Sequence, residues 1–307
     1  MRERLHLKVL ARDPCENDFT WYEMIRDELL RKTVGRAQRV LDVGCARGEP
    51  LLMLSGQIGS GMGVDISEEG ISAAESARKK LGIRNLEFTH ASAVDLPFES
   101  GEFDAALMLG DVLCYDNLYG RQEQVLSEIR RVLKDDGLTV YQGMNWDWEY
   151  KLSPSWTYFM RADNGNFRFH RNRRTASGCE TSRDYDVVPG TPLHDWLLQR
   201  DWPVSPQGHD ISIDVIEERK IPQRWLKYSG VSRYQHYTPA SLRRRYQNAG
   251  FRHVEVLAYG QTYDIVNKAG LLESVGLAKS ELAEAEAAVA LELRTGSGPW
   301  LFLVARK

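Results

Sequence analysis

Val40-Leu-Asp-Val-Gly-Cys-Ala-Arg-Gly48 runs an apolar strand into an acid and then into two glycines. This order describes a turn that brings backbone close to a nucleotide. About twenty residues on, Gly63-Val-Asp-Ile-Ser67 reads as a second short strand ending in an acid. A βαβ unit places there the carboxylate that accepts both hydroxyls of a ribose, so Asp65 and the following Ile66 are expected at the ligand. The spacing of the first turn separates two ligand classes. A dinucleotide fold uses G-x-G-x-x-G with the pyrophosphate on a helix N-terminus, whereas the pattern here is Asp42-x-Gly44-x-x-x-Gly48. A carboxylate ahead of the glycines repels a pyrophosphate and attracts a cationic amine.

This acid-glycine stretch resembles motif I of class I S-adenosylmethionine-dependent methyltransferases, whose cofactor carries an amine and a sulfonium. The resemblance implies an α/β fold with a Rossmann-like seven-stranded sheet, S-adenosylmethionine as cofactor, and Asp42, Gly44, Cys45, Ala46 and Gly48 around it. The following sequence fits that pattern. Leu86–Ala91 reads as a third strand leading into Ser92-Ala-Val-Asp-Leu-Pro-Phe98, and Glu102–Gly110 reads as a fourth. In an open parallel sheet the ligand crevice lies outside the carboxyl ends of the strands, which puts Ser92, Leu109 and Gly110 at the site. The family often has an acid or amide at the position matching Ser92, so adenine binding here is expected to use the backbone of Ala93 and Val94.

Helices are expected over Phe19–Thr33, after Gly48, over Glu68–Leu81 and over Gln122–Leu133, with strand five at Leu138–Gly143. The segments Gly250–Val256 and Trp300–Val304 read as the antiparallel pair that ends such a sheet. Two insertions depart from this frame. Residues 145–237 hold most of the tryptophans with alternating stretches such as Ile211–Ile216, and are too long for a loop. They are expected to form an antiparallel β cap after strand five that roofs the methyl-transfer site. The division is then 1–144 for the cofactor-binding core, 145–237 for the cap and 238–307 for the rest of the core. The second insertion, about 261–298, contains the alanine-rich helix Lys279–Arg294, suited to packing or to contact within a homo-oligomer.

At 307 residues with 42% apolar residues the chain can bury a sizeable core. A formal net charge of −3 argues against a polyanion partner, although basic residues cluster at Arg168–Arg174 and Arg243–Arg245. Four scattered cysteines, Cys15, Cys45, Cys114 and Cys179, suggest a reducing compartment. No apolar run approaches the roughly 18 residues of a membrane span. A cytoplasmic protein acting on a small molecule is expected, with no nucleic-acid or membrane partner.

Methyl transfer needs in-line approach of the acceptor to the methyl carbon, so the useful residues are acceptors near that carbon. Asp111 follows strand four and Asn145-Trp-Asp147 follows strand five. Leu109-Gly-Asp-Val-Leu113 and Asn145-Trp-Asp147 resemble paired segments of glycine N-methyltransferase and its relatives, with an echo at Tyr234-Gln-His236. That family has an asparagine after leucine-glycine that positions the amino acid and an arginine after strand five that clamps its carboxylate. Asp111 and Met144 stand at those positions, which disfavours glycine and favours a cationic or donor group on the acceptor. Asp111, Asp147 and His236 are therefore the candidate catalytic residues, and Trp21, Asn145, Trp146 and Tyr234 the candidate substrate contacts. Tyr22 is expected beside the sulfonium. The histidines show no metal-ligand spacing, and no metal is expected. The fold does not fix the acceptor atom, so oxygen or carbon acceptors, an RNA acceptor and a non-catalytic cofactor sensor stay open behind amine methylation.

Overall fold

A computed structural model describes residues 9–11, 18–148, 155–161, 165–202, 213–215, 221–262, 279–293 and 298–307. Its contacts divide the chain into two compact units, residues 1–18 with 150–235 and residues 19–149 with 236–307. Strand β1 (Val9–Ala11) belongs to the first unit. The second unit begins with α1 (Asp18–Val34) and continues as β2 (Arg39–Val43), α2 (Glu49–Leu54), β3 (Ser60–Asp65), α3 (Glu68–Lys80), β4 (Leu86–His90) and β5 (Phe103–Met108). Two 3₁₀ turns, Val112–Cys114 and Asp116–Leu118, lead to α4 (Gln122–Val132) and β6 (Leu133–Met144).

The other elements of this unit are α6 (Pro239–Asn248), β12 (Arg252–Tyr259), α7 (Lys279–Leu293) and β13 (Trp300–Arg306). The seven strands lie in the order β12-β13-β6-β5-β2-β3-β4. The pairs among β2 to β6 are parallel, and β13 runs antiparallel to both of its neighbours. This is the expected seven-stranded sheet with its terminal antiparallel pair. β6 begins at Leu133 rather than Leu138, with a register irregularity against β5.

The apolar strands are buried on both faces, as a parallel sheet between helices requires. Leu41, Val43, Val64, Ala106 and Met108 pack on one face with Val125 and Ile129 of α4 and Leu242 of α6. Val40, Ala105, Leu107 and Val140 pack on the other with Ile25 and Leu29 of α1 and Leu51 of α2. Ala283, Ala287 and Ala290 of α7 join this second cluster beside Phe302. The small residues of that helix thus serve packing within the chain.

The other unit is a six-stranded antiparallel sheet in the order β1-β10-β7-β8-β9-β11, with β7 (Ser155–Arg161), β8 (Phe167–Arg174), β9 (Cys179–Val187), β10 (Ile213–Val215) and β11 (Leu226–Gln235). Leu193 and Leu197 of α5 (Pro192–Leu198) pack on one face of it with Phe159, Phe167, Phe169 and Trp225. The sheet is the inserted antiparallel element expected after strand five, but its membership differs. β1, assigned from sequence to the core, pairs with β10. Residues 145–148 and 236–237, assigned to the insertion, belong with the seven-stranded sheet, where Asn145 bridges Tyr237. A three-residue strand carries too little periodicity to reveal its partner. Among the described residues no helix is long and apolar enough to cross a membrane.

Candidate functional site

The turn after β2 is built by backbone conformation. Gly44 and Gly48 take φ of 76° and 78°, and Ala46 between them takes 46°. Glycine reaches this region freely, whereas a side chain is strained there. Space excludes a side chain as well: a Cβ on Gly44 would lie 2.5 Å from Val112 Cγ2, and one on Gly48 would lie 2.6 Å from the Phe88 ring. The Gly44 and Cys45 amides donate to the Val64 carbonyl, which ties the turn to β3. Cys45 is buried, and burial beside Asp42 and Asp65 pushes its thiol up, so it is not a reactive thiolate.

Asp65, at the end of β3, is held from two sides. Its Oδ2 accepts the Ala46 amide at 2.8 Å and its Oδ1 accepts the Ser67 amide at 2.8 Å. The carboxylate is thus fixed against the turn while its remaining lone pairs stay available. A cavity of about 520 Å³ opens here, lined by Gly44 and Ala46 after β2, Asp65 and Ile66 after β3, Ser92 and Ala93 after β4, and Leu109 and Gly110 after β5. Four successive parallel strands therefore deliver their carboxyl ends to one space.

Asp42 lies behind the turn, 1% exposed, and neither of its oxygens has a hydrogen-bond partner among the described residues. Burial, opposed by Arg26 and reinforced by Asp65 and Glu49, raises its carboxyl to about 7. A buried acid without a partner favours the neutral form until a cation compensates it.

The loop after β5 is held differently. Asp111 caps the 3₁₀ turn Val112–Cys114 in a left-handed conformation, φ 62° and ψ 23°. Its amide donates to the Gln142 carbonyl of β6. Its Oδ1 accepts from the Met144 amide at 2.9 Å, from the Tyr141 hydroxyl at 3.3 Å and from the Cys114 thiol at 3.3 Å. Burial, with Cys114 and Asp111 alongside, raises the Tyr141 phenol, which keeps it protonated as a donor. His236 enters the same neighbourhood from the start of α6, stacked on Trp146 with ring centroids 4.8 Å apart.

Residues 40–137, which contain the turn, Asp65 and Asp111, match the sequence family described as a methyltransferase domain. Among curated proteins, demethylmenaquinone methyltransferase of Oceanobacillus iheyensis is 32% identical over 121 residues, covering 38% of this chain and 48% of that protein. Fatty-acid O-methyltransferase of Mycolicibacterium smegmatis is 34% identical over 172 residues, covering 52% of this chain and 58% of that protein. The chain spans about half the length of the curated relatives it matches. A solved S-adenosylmethionine-dependent methyltransferase from Clostridium acetobutylicum shares the fold, with a TM-score of 0.53, 13% identity and coverage of 94% of this chain and 92% of that one. The sequence match covers residues 40–137, and the structural likeness shows that the seven-stranded unit has the fold of that solved methyltransferase.

Eight of the thirteen residues expected at the cofactor line the cavity: Gly44, Ala46, Asp65, Ile66, Ser92, Ala93, Leu109 and Gly110. Gly48 and Cys45 shape the turn from behind, and Asp42 lies beneath it. Val94 is buried and its carbonyl accepts from Gln124. Tyr22 packs against Trp300 and the second apolar cluster. Trp21 lies on α1, but its side chain is outside the described residues. Asn145 and Trp146 are buried at the β6 corner, where Asn145 Nδ2 donates to the Gly298 carbonyl. Asp147 is exposed beside them, and Tyr234 pairs with Glu180 in the six-stranded unit. Val112, Tyr115, Asn117 and Leu118 also line the cavity and were not anticipated. The rule that placed Gly110 could have found them, since they continue the same strand-end loop. Tyr141 was missed because it lies inside β6, where sequence alone reads it as core.

Proposed function

We propose that this chain transfers the methyl group of S-adenosylmethionine to a small-molecule acceptor, at an amine nitrogen. The observation that carries the proposal is the Asp65 carboxylate, fixed by two backbone amides at the edge of a cavity formed by four strand ends. Two ribose hydroxyls are the donors that such a carboxylate accepts. The residues fit the rest of the cofactor too. The partnerless Asp42 carboxyl behind the turn is compensated by a nearby ammonium group, which the cofactor carries. Bound there, the cofactor supplies an electrophilic methyl group.

What supports nitrogen is the chemistry an amine does not require. Among the described lining residues Asp65 is the one carboxylate, and it is already engaged by Ala46 and Ser67. Asp111, whose Oδ1 is tied to Met144, Tyr141 and Cys114, acts in this reading as a positioning residue for the loop that follows β5. A neutral amine brings its own lone pair, and near-attack placement alone contributes roughly 7–11 kcal/mol. The likeness to glycine N-methyltransferase at Leu109–Leu113 points the same way, with Met144 in place of the arginine that clamps a carboxylate there. An oxygen acceptor is the second reading, favoured by the match to a fatty-acid O-methyltransferase over 172 residues.

Incubating the purified chain with methyl-labelled S-adenosylmethionine and a panel of small amines, phenols and carboxylic acids tests this. Label transfer to amines is expected. Transfer confined to phenols or carboxylic acids would establish the oxygen reading, and binding without transfer to any acceptor would favour a sensor.

A further inference from the structure

We propose that Asp111, Cys114 and His236 form a binding site for a zinc-class divalent cation. A carboxylate oxygen, the Cys114 Sγ and an imidazole nitrogen lie within 4.8 Å of one another, and Cys114 and His236 are buried. Around a tetrahedral zinc, bonds of about 2.0–2.3 Å place ligand atoms roughly 3.3–3.7 Å apart. The Cys114–Asp111 pair already satisfies that at 3.3 Å, and the three ligand atoms close from their 4.8 Å limit to that spacing.

The backbone prepares this arrangement. Residues three apart eclipse in a 3₁₀ turn, so Asp111 at the cap and Cys114 at the end of Val112–Cys114 fall on one side. Asp111 adopts a left-handed φ of 62° to do so, a conformation that strains a non-glycine residue and collects at functional sites. The surroundings hold the ligands as an outer shell does. The Met144 amide and Tyr141 hydroxyl fix Asp111, the Tyr141 hydroxyl also lies 3.4 Å from Cys114 Sγ, and Trp146 holds the His236 ring by stacking.

The donor set selects the ion. A thiolate with an imidazole favours zinc over magnesium or calcium, which take oxygen ligands. Binding releases the Cys114 proton that now points to Asp111, and the resulting thiolate and carboxylate together balance the charge of the ion. The consequence is a clamp: the ion ties the turn that begins the cavity-lining run Val112, Tyr115, Asn117 and Leu118 to His236 at the entry to α6. This site does not depend on which acceptor is methylated.

The test uses the whole chain, stripped with a chelator and titrated with Co²⁺, then with Zn²⁺. One equivalent of Co²⁺ should bind with a near-ultraviolet thiolate charge-transfer band, and Zn²⁺ should displace it. Cys114→Ser should remove the band, and His236→Ala should weaken Zn²⁺ binding by at least about tenfold. Because either variant could misfold, zinc-edge X-ray absorption on the wild type provides an independent reading, with one sulfur expected at about 2.3 Å. No binding at micromolar metal, a bound ion without sulfur, or an unchanged spectrum in Cys114→Ser overturns the proposal and leaves a hydrogen-bonded cluster. S-adenosylmethionine binding is measured separately, so failure here is distinguishable from failure of the methyltransferase reading.

Discussion

The β2–β4 and β5–β6 ends of the seven-stranded unit's strand-end face are constructed on different principles. At the β2–β4 end, backbone does the work: left-handed residues, amides aimed at Asp65, and glycines where side chains would collide. At the β5–β6 end, side chains do it, through Asp111, Cys114, Tyr141 and His236 gathered from separate stretches. A backbone cradle fits a constant cofactor because its geometry is independent of most side chains. A side-chain cluster can change with the acceptor while the sheet beneath it stays the same.

The largest effect is expected from placing a side chain in the cradle. Gly44→Ala puts a methyl group 2.5 Å from Val112 Cγ2 on a residue with φ of 76°. It should destabilise the protein by about 2–4 kcal/mol and abolish cofactor binding. Urea melts of the two proteins measure the first, and calorimetry the second. Wild-type stability in this variant would show that the turn tolerates side chains, removing the distinction between the two ends.

Next in size is Asp65→Ala, which should weaken cofactor binding by about 1–3 kcal/mol through the loss of two charge-assisted bonds. Asp111→Asn, at the other end, should leave cofactor affinity nearly unchanged. Equal losses in both variants, read by calorimetry, would mean that the ends are not separable. Asp111→Asn should instead lower stability by about 1–2 kcal/mol, as the charge-assisted bonds from Met144, Tyr141 and Cys114 become neutral ones. Denaturant titration checks this.

A separate expected effect is a pH dependence. The Asp42 carboxyl is raised by burial to about 7 from its ordinary value of 3.8. The folded protein therefore retains a proton that the unfolded chain loses between those values, and the group opposes folding increasingly as pH rises from about 4 to about 7, then constantly above. Asp42→Asn should gain stability relative to the wild type at pH 8 and show no such gain near pH 4. A cofactor ammonium stabilises the ionised carboxyl, so wild-type affinity for S-adenosylhomocysteine should fall by at most tenfold per unit as pH drops below 7. The fall should flatten in Asp42→Asn. A pH-independent wild type would separate Asp42 from the ligand.

The same contrast explains how much could be read from the chain. The seven strands and eight of the cavity residues were legible because the turn and Asp65 obey short spacings within one βαβ unit. The burial of Asn145 and Trp146 was not legible, because position after strand five does not reveal it, and the β6 corner takes both inside. The pairing of β1 with β10 and the convergence of Cys114 and His236 depend on contacts between distant segments, which leave no periodicity to read.

Calorimetric titration of the wild-type chain with S-adenosylmethionine and S-adenosylhomocysteine tests the central claim most directly. Binding of one equivalent of each at micromolar affinity is predicted, weakened about 10–100-fold in Asp65→Ala. No binding to the wild type, or tighter binding of a nicotinamide dinucleotide, would contradict the account.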